Sequence, residues 1–164
     1  MIKKINFLFV TLFGIGKVSK IPGSIASLAT TLFLFLFFHI LKIQANFILL
    51  FVILIFFISL YAVNIFIKNL DNKDPKEVVI DEFIGQSIPI CLYEIAHEGA
   101  KETSQVLTSY FIMFILFRIF DIVKPYPVSY YDKNFKNSFG VIMDDVAAGL
   151  YVVAVLVLYM VFTS

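Results

Sequence analysis

One cysteine, two histidines and no tryptophan leave this chain with little of the usual material for thiol or soft-metal chemistry. Cys91 alone excludes an internal disulfide and a cysteine-rich metal centre, and in its apolar surroundings it reads as a small buried hydrophobe. His39 lies in an apolar run and His97 in a polar one, and two imidazoles cannot make a three-histidine site. Charge is scarce too. Only 15% of residues are Asp, Glu, Lys or Arg, and the formal net charge of +1 excludes the broad basic field that nucleic-acid binding uses. No repeat of solenoid length is present.

Apolar residues fill the gap. They make up 60% of the 164 residues, twenty of them Phe, and the mean hydropathy is +0.93. Soluble domains run at about 45–50% apolar. One domain is expected over residues 1–164: an all-α, multi-pass helical membrane protein, a compact bundle of about four membrane helices plus a short kinked or re-entrant helix. Met1 to Leu12, with Lys3 and Lys4 ahead of an apolar run, reads as a retained interfacial segment. Ile25 to Leu41 is a first span entered through Pro22-Gly23-Ser24, with Ser24 placed to cap its first turn. Lys42 to Asn46 is a turn, and Phe47 to Ile67 a second span. Lys68 to Glu77, charged and containing Pro75, is a loop.

Val78-Val79-Ile80 then leads to Asp81-Glu82 and an apolar stretch, Phe83 to Tyr93, interrupted by Gly85 and Pro89. It is too short and broken for an ordinary span, hence the kinked or re-entrant reading. After the polar segment Glu94 to Ser104, a helix over Gln105 to Val123 is stopped by Pro125 and Pro127. Ser129 to Ser138 reads as a polar loop and Gly140 to Phe162 as the last span. Alternating crossings from a cytoplasmic N-terminal face put Lys17, Lys20, Lys68, Lys73, Lys76, Arg118, Lys124, Lys133 and Lys136 inside, with Lys42 and Lys101 outside. That scheme requires the short third element to cross.

Chemistry concentrates between Arg118 and Asp145. Arg118, Lys124 and Lys133 are cations fit for phosphate there, among the carboxylates of Asp121, Asp144 and Asp145; Asp81 and Glu82 lie further back. Each acidic group sits where polar sequence meets apolar sequence. Taken singly, each is explained as a helix cap or dipole partner. Taken together, ionisable groups at membrane depth face a cavity, an ion or a partner. Carboxylates gathered near one plane repel unless a hard cation joins them, and oxygen-only donors favour Mg²⁺ or Mn²⁺ over Zn²⁺. Arg118, Asp121 and Lys124, spaced by three and three, share a helix face. They form either a salt-bridge ladder or a unit in which Asp121 holds metal while Arg118 and Lys124 grip phosphate oxygens. The glycine-rich, basic stretch from Gly14 to Ser24 is not a Walker loop. Lys17, Ser24 and the backbone N–H groups of the following helix can still hold an anion there, or the stretch is a membrane-entry turn. Tyr126, Tyr130 and Tyr131 read as an interfacial aromatic belt. A small ion or solute transporter is the competing class, and so is a salt-bridged scaffold. A transporter needs its carboxylates at the middle of discontinuous helices, whereas these cluster at helix ends.

Three pieces, I-P-G-S-I-A-S (Ile21 to Ser27), V-V-I-D-E-F-I-G (Val78 to Gly85) and F-R-I-F-D-I-V-K-P-Y-P (Phe117 to Pro127) running on to G-V-I-M-D-D-V-A-A-G-L (Gly140 to Leu150), resemble the phosphatidylglycerophosphatase A family. The first departs from that family's P-G-T-x-G-S, with Ser24 at the threonine position and Ala26 at the second glycine. The resemblance implies a Mg²⁺-dependent enzyme (Mn²⁺ as substitute) of the bacterial inner membrane, with its site on the cytoplasmic face. Its reaction would convert phosphatidylglycerophosphate to phosphatidylglycerol and inorganic phosphate. A phospholipid is the partner it implies, with no nucleic acid and no obligate protein. Phosphatidic acid or another lipid phosphate is the alternative substrate. Carried onto this chain, Glu82, Asp121, Asp144 and Asp145 are the metal ligands, and Asp144 also counts as catalytic. Arg118 and Lys124 hold the phosphate, and the reading of the glycine-rich stretch adds Lys17 and Ser24 to them. Asp81 is the general base for an attacking water, with direct attack by an aspartate left open.

Overall fold

A computed structural model describes residues 2–18, 20–97 and 102–163, and all regular structure in them is helical. Met1, Ser19, Lys101 and the middle of the Glu94 to Ser104 segment, on which parts of the reading above fall, lie outside the described residues. The elements are α1 (Ile2–Val10), α2 (Ile15–Val18), α3 (Pro22–Phe35, extended by a π-helical turn over Leu36–Ile40), α4 (Ala45–Ile67), α5 (Ile80–Ala96), α6 (Thr103–Val123), α7 (Val128–Asn134) and α8 (Ser138–Thr163). Among the described residues, four helices are long and apolar enough to cross a membrane: α3 with its extension, α4, α6 and α8. Their outer faces leave Leu32, Phe57, Phe111 and Leu158 each more than half exposed. That surface is a liability in water and a match for lipid.

α3 starts earlier than expected, at Pro22. The proline ring presets the first helical φ and has no N–H to leave unsatisfied. Ser24 therefore lies inside the first turn and caps nothing; the cap position is Ile21, without a side-chain bond. Three buried hydroxyls of α3 donate to carbonyls four residues back: Ser27 to Gly23 (2.9 Å), Thr30 to Ala26 (2.8 Å) and Thr31 to Ser27 (2.9 Å). The helix carries polar side chains into an apolar core at no hydrogen-bonding cost. Ala26 is completely buried in that core, so the departure from the family motif is housed inside α3.

α5 is the axis of the bundle. It packs against α3, α4, α6 and α8, and most of its residues from Ile80 to Cys91 are buried. It does not turn back. Asp81 marks one end, and at the other Glu94 accepts a hydrogen bond from the Tyr110 hydroxyl (3.0 Å) and lies 3.3 Å from Nε2 of His39. At 1.5 Å per residue its 17 residues reach about 25 Å, short of a hydrocarbon core of about 30 Å. Four longer helices sheathe it, so the shortfall need not face lipid.

Pro89 has no N–H to give the carbonyl of Gly85, and the backbone of α8 closes over that carbonyl instead. A Cβ on Gly149 would lie 2.3 Å from the Gly85 oxygen, and one on Gly85 would lie 2.6 Å from the Asp145 carbonyl. Backbones in such contact tolerate only glycine. Asp81 is one turn before Gly85, and Asp145 one turn before Gly149. The seam therefore sets the two acids level with each other.

The segment expected to be a loop over Ser129 to Ser138 instead contains α7, which packs on α8 with Val128 fully buried. Tyr131, Phe135 and Phe139 contact one another in sequence, tilted and then edge to face, with ring centroids 6.0 and 5.5 Å apart. That apolar stripe folds an otherwise polar stretch. Cys91 is fully buried, as expected.

Candidate active site

The first turns of α3 and α5, the last turn of α6, the second turn of α8 and the loop before α5 meet at one end of the bundle around a cavity of about 320 Å³. Ser24, Asp81, Glu82, Arg118, Asp121, Lys124, Asp144 and Asp145 all line it. So do four residues that the sequence did not single out for the site: Lys20, Gly23, Asp74 and Lys76.

Asp81, Glu82 and Asp145 form its acidic core, each with a carboxylate oxygen within 4.8 Å of the others. Asp81 is 6% exposed and Asp145 4%. One oxygen of Asp81 accepts the Glu82 N–H at 3.1 Å. Oε2 of Glu82 and Oδ1 of Asp145 are buried with no hydrogen-bond partner among the described residues. An orphaned buried acceptor costs about 1–3 kcal/mol, more when charged. Two of them in a cluster of like charge fit the donor set of a hard divalent cation.

The cations sit around this core, and carboxylates already hold two of them. Nη1 of Arg118 lies 2.8 Å from Asp121 Oδ2 and donates to Ser27 Oγ at 3.3 Å, while its buried Nε has no partner among the described residues. Lys124 ends α6 in a left-handed conformation (φ 48°, ψ 60°), because Pro125 disfavours continuing the helix there. The turn aims its ammonium between Asp144 Oδ2 and Asp132 Oδ1, both at 2.7 Å. Burial lowers the Lys124 pKa, but the Asp144 and Asp132 carboxylates outweigh it and hold the pKa above the ordinary lysine value. The stabilisation that comes from this raised lysine pKa is fully present through the neutral range and is lost as pH climbs past the raised value.

The expected ligands do not all meet in one group. Both oxygens of Asp144 are taken, Oδ2 by Lys124 and Oδ1 by the N–H of Asp145 at 3.0 Å. Asp144 is thus paired with Lys124, and the carboxylate group within 4.8 Å is made by Asp81, Glu82 and Asp145. Nor do Asp144 and Asp145 sit in the first turn of their helix, where the dipole would favour them; α8 begins at Ser138. Lys17 is not at the cavity, since its ammonium lies 4.8 Å above the Phe7 ring on the α1 side. Lys133 is exposed and lines neither this cavity nor the smaller one beside it.

Gly23 and Ser27 escaped notice because neither ionises, although both belong to the I-P-G-S-I-A-S stretch. A Cβ on Gly23 would lie 2.1 Å from Glu82 Oε1 and 3.3 Å from Arg118 Nη1. Gly23→Ala is therefore expected to displace the Glu82 carboxylate. Turnover at this site should fall roughly ten- to a hundredfold with an unchanged melting temperature. Wild-type turnover by the alanine variant would show that Glu82 has no fixed place in the site.

Membrane-length helices around a cation-seeking carboxylate cluster, with a partly free guanidinium beside it, define a multi-pass membrane protein equipped to handle phosphate at one end of its bundle. The chain belongs to the phosphatidylglycerophosphatase A family, whose model matches residues 8–160. It is 32% identical to the phosphatidylglycerophosphatase A of Haemophilus influenzae over 143 residues, covering 87% of this chain and 81% of that one. With its Escherichia coli counterpart it shares 29% identity, over 84% of this chain and 73% of the relative. A Bacteroides thetaiotaomicron protein with a provisional phosphatidylinositol-3-phosphatase name is 38% identical over 100 residues, 61% of this chain and 57% of that one. No solved structure matches the chain.

Proposed function

We propose that this protein hydrolyses the terminal phosphate monoester of phosphatidylglycerophosphate, with Mg²⁺ as its divalent cation, at the cytoplasmic face of a bacterial inner membrane. The observation carrying the proposal is the Asp81–Glu82–Asp145 cluster opening into the same cavity as Arg118. Glu82 and Asp145, flanked by Asp121, would hold the cation. When bound it supplies charge neutralisation and polarises a phosphoryl oxygen. Arg118 grips the phosphoryl oxygens through the donors that Asp121 and Ser27 leave free, and Lys124 adds positive potential. Asp81 takes a proton from the attacking water as its oxygen bonds to phosphorus. The bond from phosphorus to the glycerol oxygen breaks, and that oxygen leaves with a proton from solvent. Ile21 and Ile122, at the rim of the cavity, are 62% and 70% exposed. This apolar doorway lets acyl chains stay in lipid while the headgroup enters.

The Bacteroides relative supports a second reading, a phosphoinositide monoester as substrate. Both lipids carry an inner phosphodiester and an outer monoester. Purified protein is expected to release phosphate from phosphatidylglycerophosphate faster than from phosphatidylinositol 3-phosphate or phosphatidic acid. Chelation should stop release, and added Mg²⁺ or Mn²⁺ should restore it. Undiminished release in excess chelator would sink the metal assignment. Ion uptake into liposomes without phosphate release from any lipid would favour a transporter.

A further inference from the structure

We infer that Lys20 and Lys76 form a second phosphate subsite on the lip of the cavity. It holds the inner phosphodiester of a two-phosphate lipid and selects that lipid over one bearing a monoester alone. The inference rests on the proposed lipid phosphatase activity and adds to it the residues that set specificity.

Four cationic side chains line the cavity, and they fall into two pairs. Arg118 and Lys124 lie deep, beside the carboxylates, and are held by Asp121, Asp132 and Asp144. Lys20 and Lys76 are exposed and have no ion pair or hydrogen bond among the described residues. Two uncommitted ammonium groups lining one cavity raise its positive potential and favour an anion there.

Their place at one cavity is built in. Lys20 follows α2 and Lys76 precedes α5, and α2 is pressed onto the loop carrying Lys76. A Cβ on Gly16 would lie 2.1 Å from the Glu77 carbonyl oxygen, and the Val79 N–H donates to the Val10 carbonyl at 2.9 Å. The two lysines therefore ride on one packed unit. They share their lip with Ile21, where an acyl chain would pass from the membrane. A headgroup entering past Ile21 meets them before it reaches Arg118. In a glycerophosphate headgroup the diester comes first, next to the lipid, and the monoester lies beyond a three-carbon bridge. One cavity of this size accommodates both.

Lysine suits the outer position, being a mobile point charge that needs no fixed geometry. Contacts made alike in ground and transition states lower KM without raising kcat. The test is the Lys20→Gln/Lys76→Gln double variant of the full chain, assayed in mixed micelles with Mg²⁺ on phosphatidylglycerophosphate and phosphatidic acid. Lys68→Gln serves as the control for general surface charge. For the two-phosphate lipid, KM should rise roughly tenfold with kcat within about twofold of wild type. Phosphatidic acid kinetics should not change, so the preference between the lipids collapses. Lys20→Arg/Lys76→Arg should restore the preference.

An unchanged KM for the two-phosphate lipid overturns the inference. So does an equal loss on both lipids, or the same effect from Lys68→Gln. In each of these cases the phosphatase activity itself stands. If wild-type protein releases phosphate from neither lipid, the reading beneath the inference fails as well.

Discussion

Asp145→Asn should release phosphate at least about a thousandfold more slowly than the wild type, and yet melt at a higher temperature when no divalent cation is present. The two effects share one cause. Asp145 is almost fully buried, shares a 4.8 Å neighbourhood with Asp81 and Glu82, and holds one oxygen without any donor. In the folded protein a charge there would be desolvated among like charges, a cost that the proposed cation would offset. Asparagine keeps the shape, removes the charge and supplies an amide donor to neighbouring carboxylates that lack one. The cluster then relaxes, but it has lost a ligand and part of the field that draws a cation to the phosphate. Phosphate release and a thermal melt in chelator, measured on the same preparation, check both halves. Activity within tenfold of wild type would remove Asp145 from the site. A lower melting temperature would show that its charge is already compensated within the protein.

Gly149→Val should fail differently, losing activity and fold together. The new Cβ would stand 2.3 Å from the Gly85 carbonyl oxygen, which is backbone and cannot swing aside. Relief requires α5 and α8 to part. The cost should be about 3 kcal/mol or more, at the upper end for overpacking because no side chain can absorb it. Parting the seam also separates Asp81 and Glu82 from Asp145, so molecules that survive should bind Mg²⁺ weakly. The checks are the yield of monodisperse protein in detergent, its melting temperature and the protection that Mg²⁺ confers on it. A variant that melts like the wild type would mean the seam is looser than the glycine contacts indicate.

The spans and the acidic and basic motifs were legible because charge inside apolar sequence is expensive and therefore stands out. Asp81, Glu82, Arg118, Asp121, Lys124, Asp144 and Asp145 were all visible on that ground, and all line one cavity. Which of them lie closest together was not. Asp144 and Asp145 are neighbours in sequence, yet successive helical residues point in different directions. Which of them meets Glu82 depends on how α8 is rotated against α5. The path of α5 was hidden for a related reason. Gly85 and Pro89 look like breaks when read locally, and only Gly149, sixty-four residues on, shows that Gly85 is a contact surface. Lys17 misled because a glycine-rich basic stretch resembles an anion loop, whereas Gly16 is small in order to pack against Glu77. α7 went unread because the polar residues of its segment outnumber the aromatic ones, while contacts from Tyr131 and Phe135 to Phe139 on α8 hold it in place.

The two isoleucines at the mouth of the cavity, Ile21 and Ile122, bear on how encounter is counted. On the proposed lipid phosphatase reading, a lipid entering past them would stay in its leaflet, so search would be two-dimensional and no hydrocarbon would be extracted into water at about 0.8 kcal/mol per methylene. Saturation then tracks how crowded the leaflet is with substrate, as a mole fraction. A concentration per litre of suspension says nothing about how often the doorway is visited.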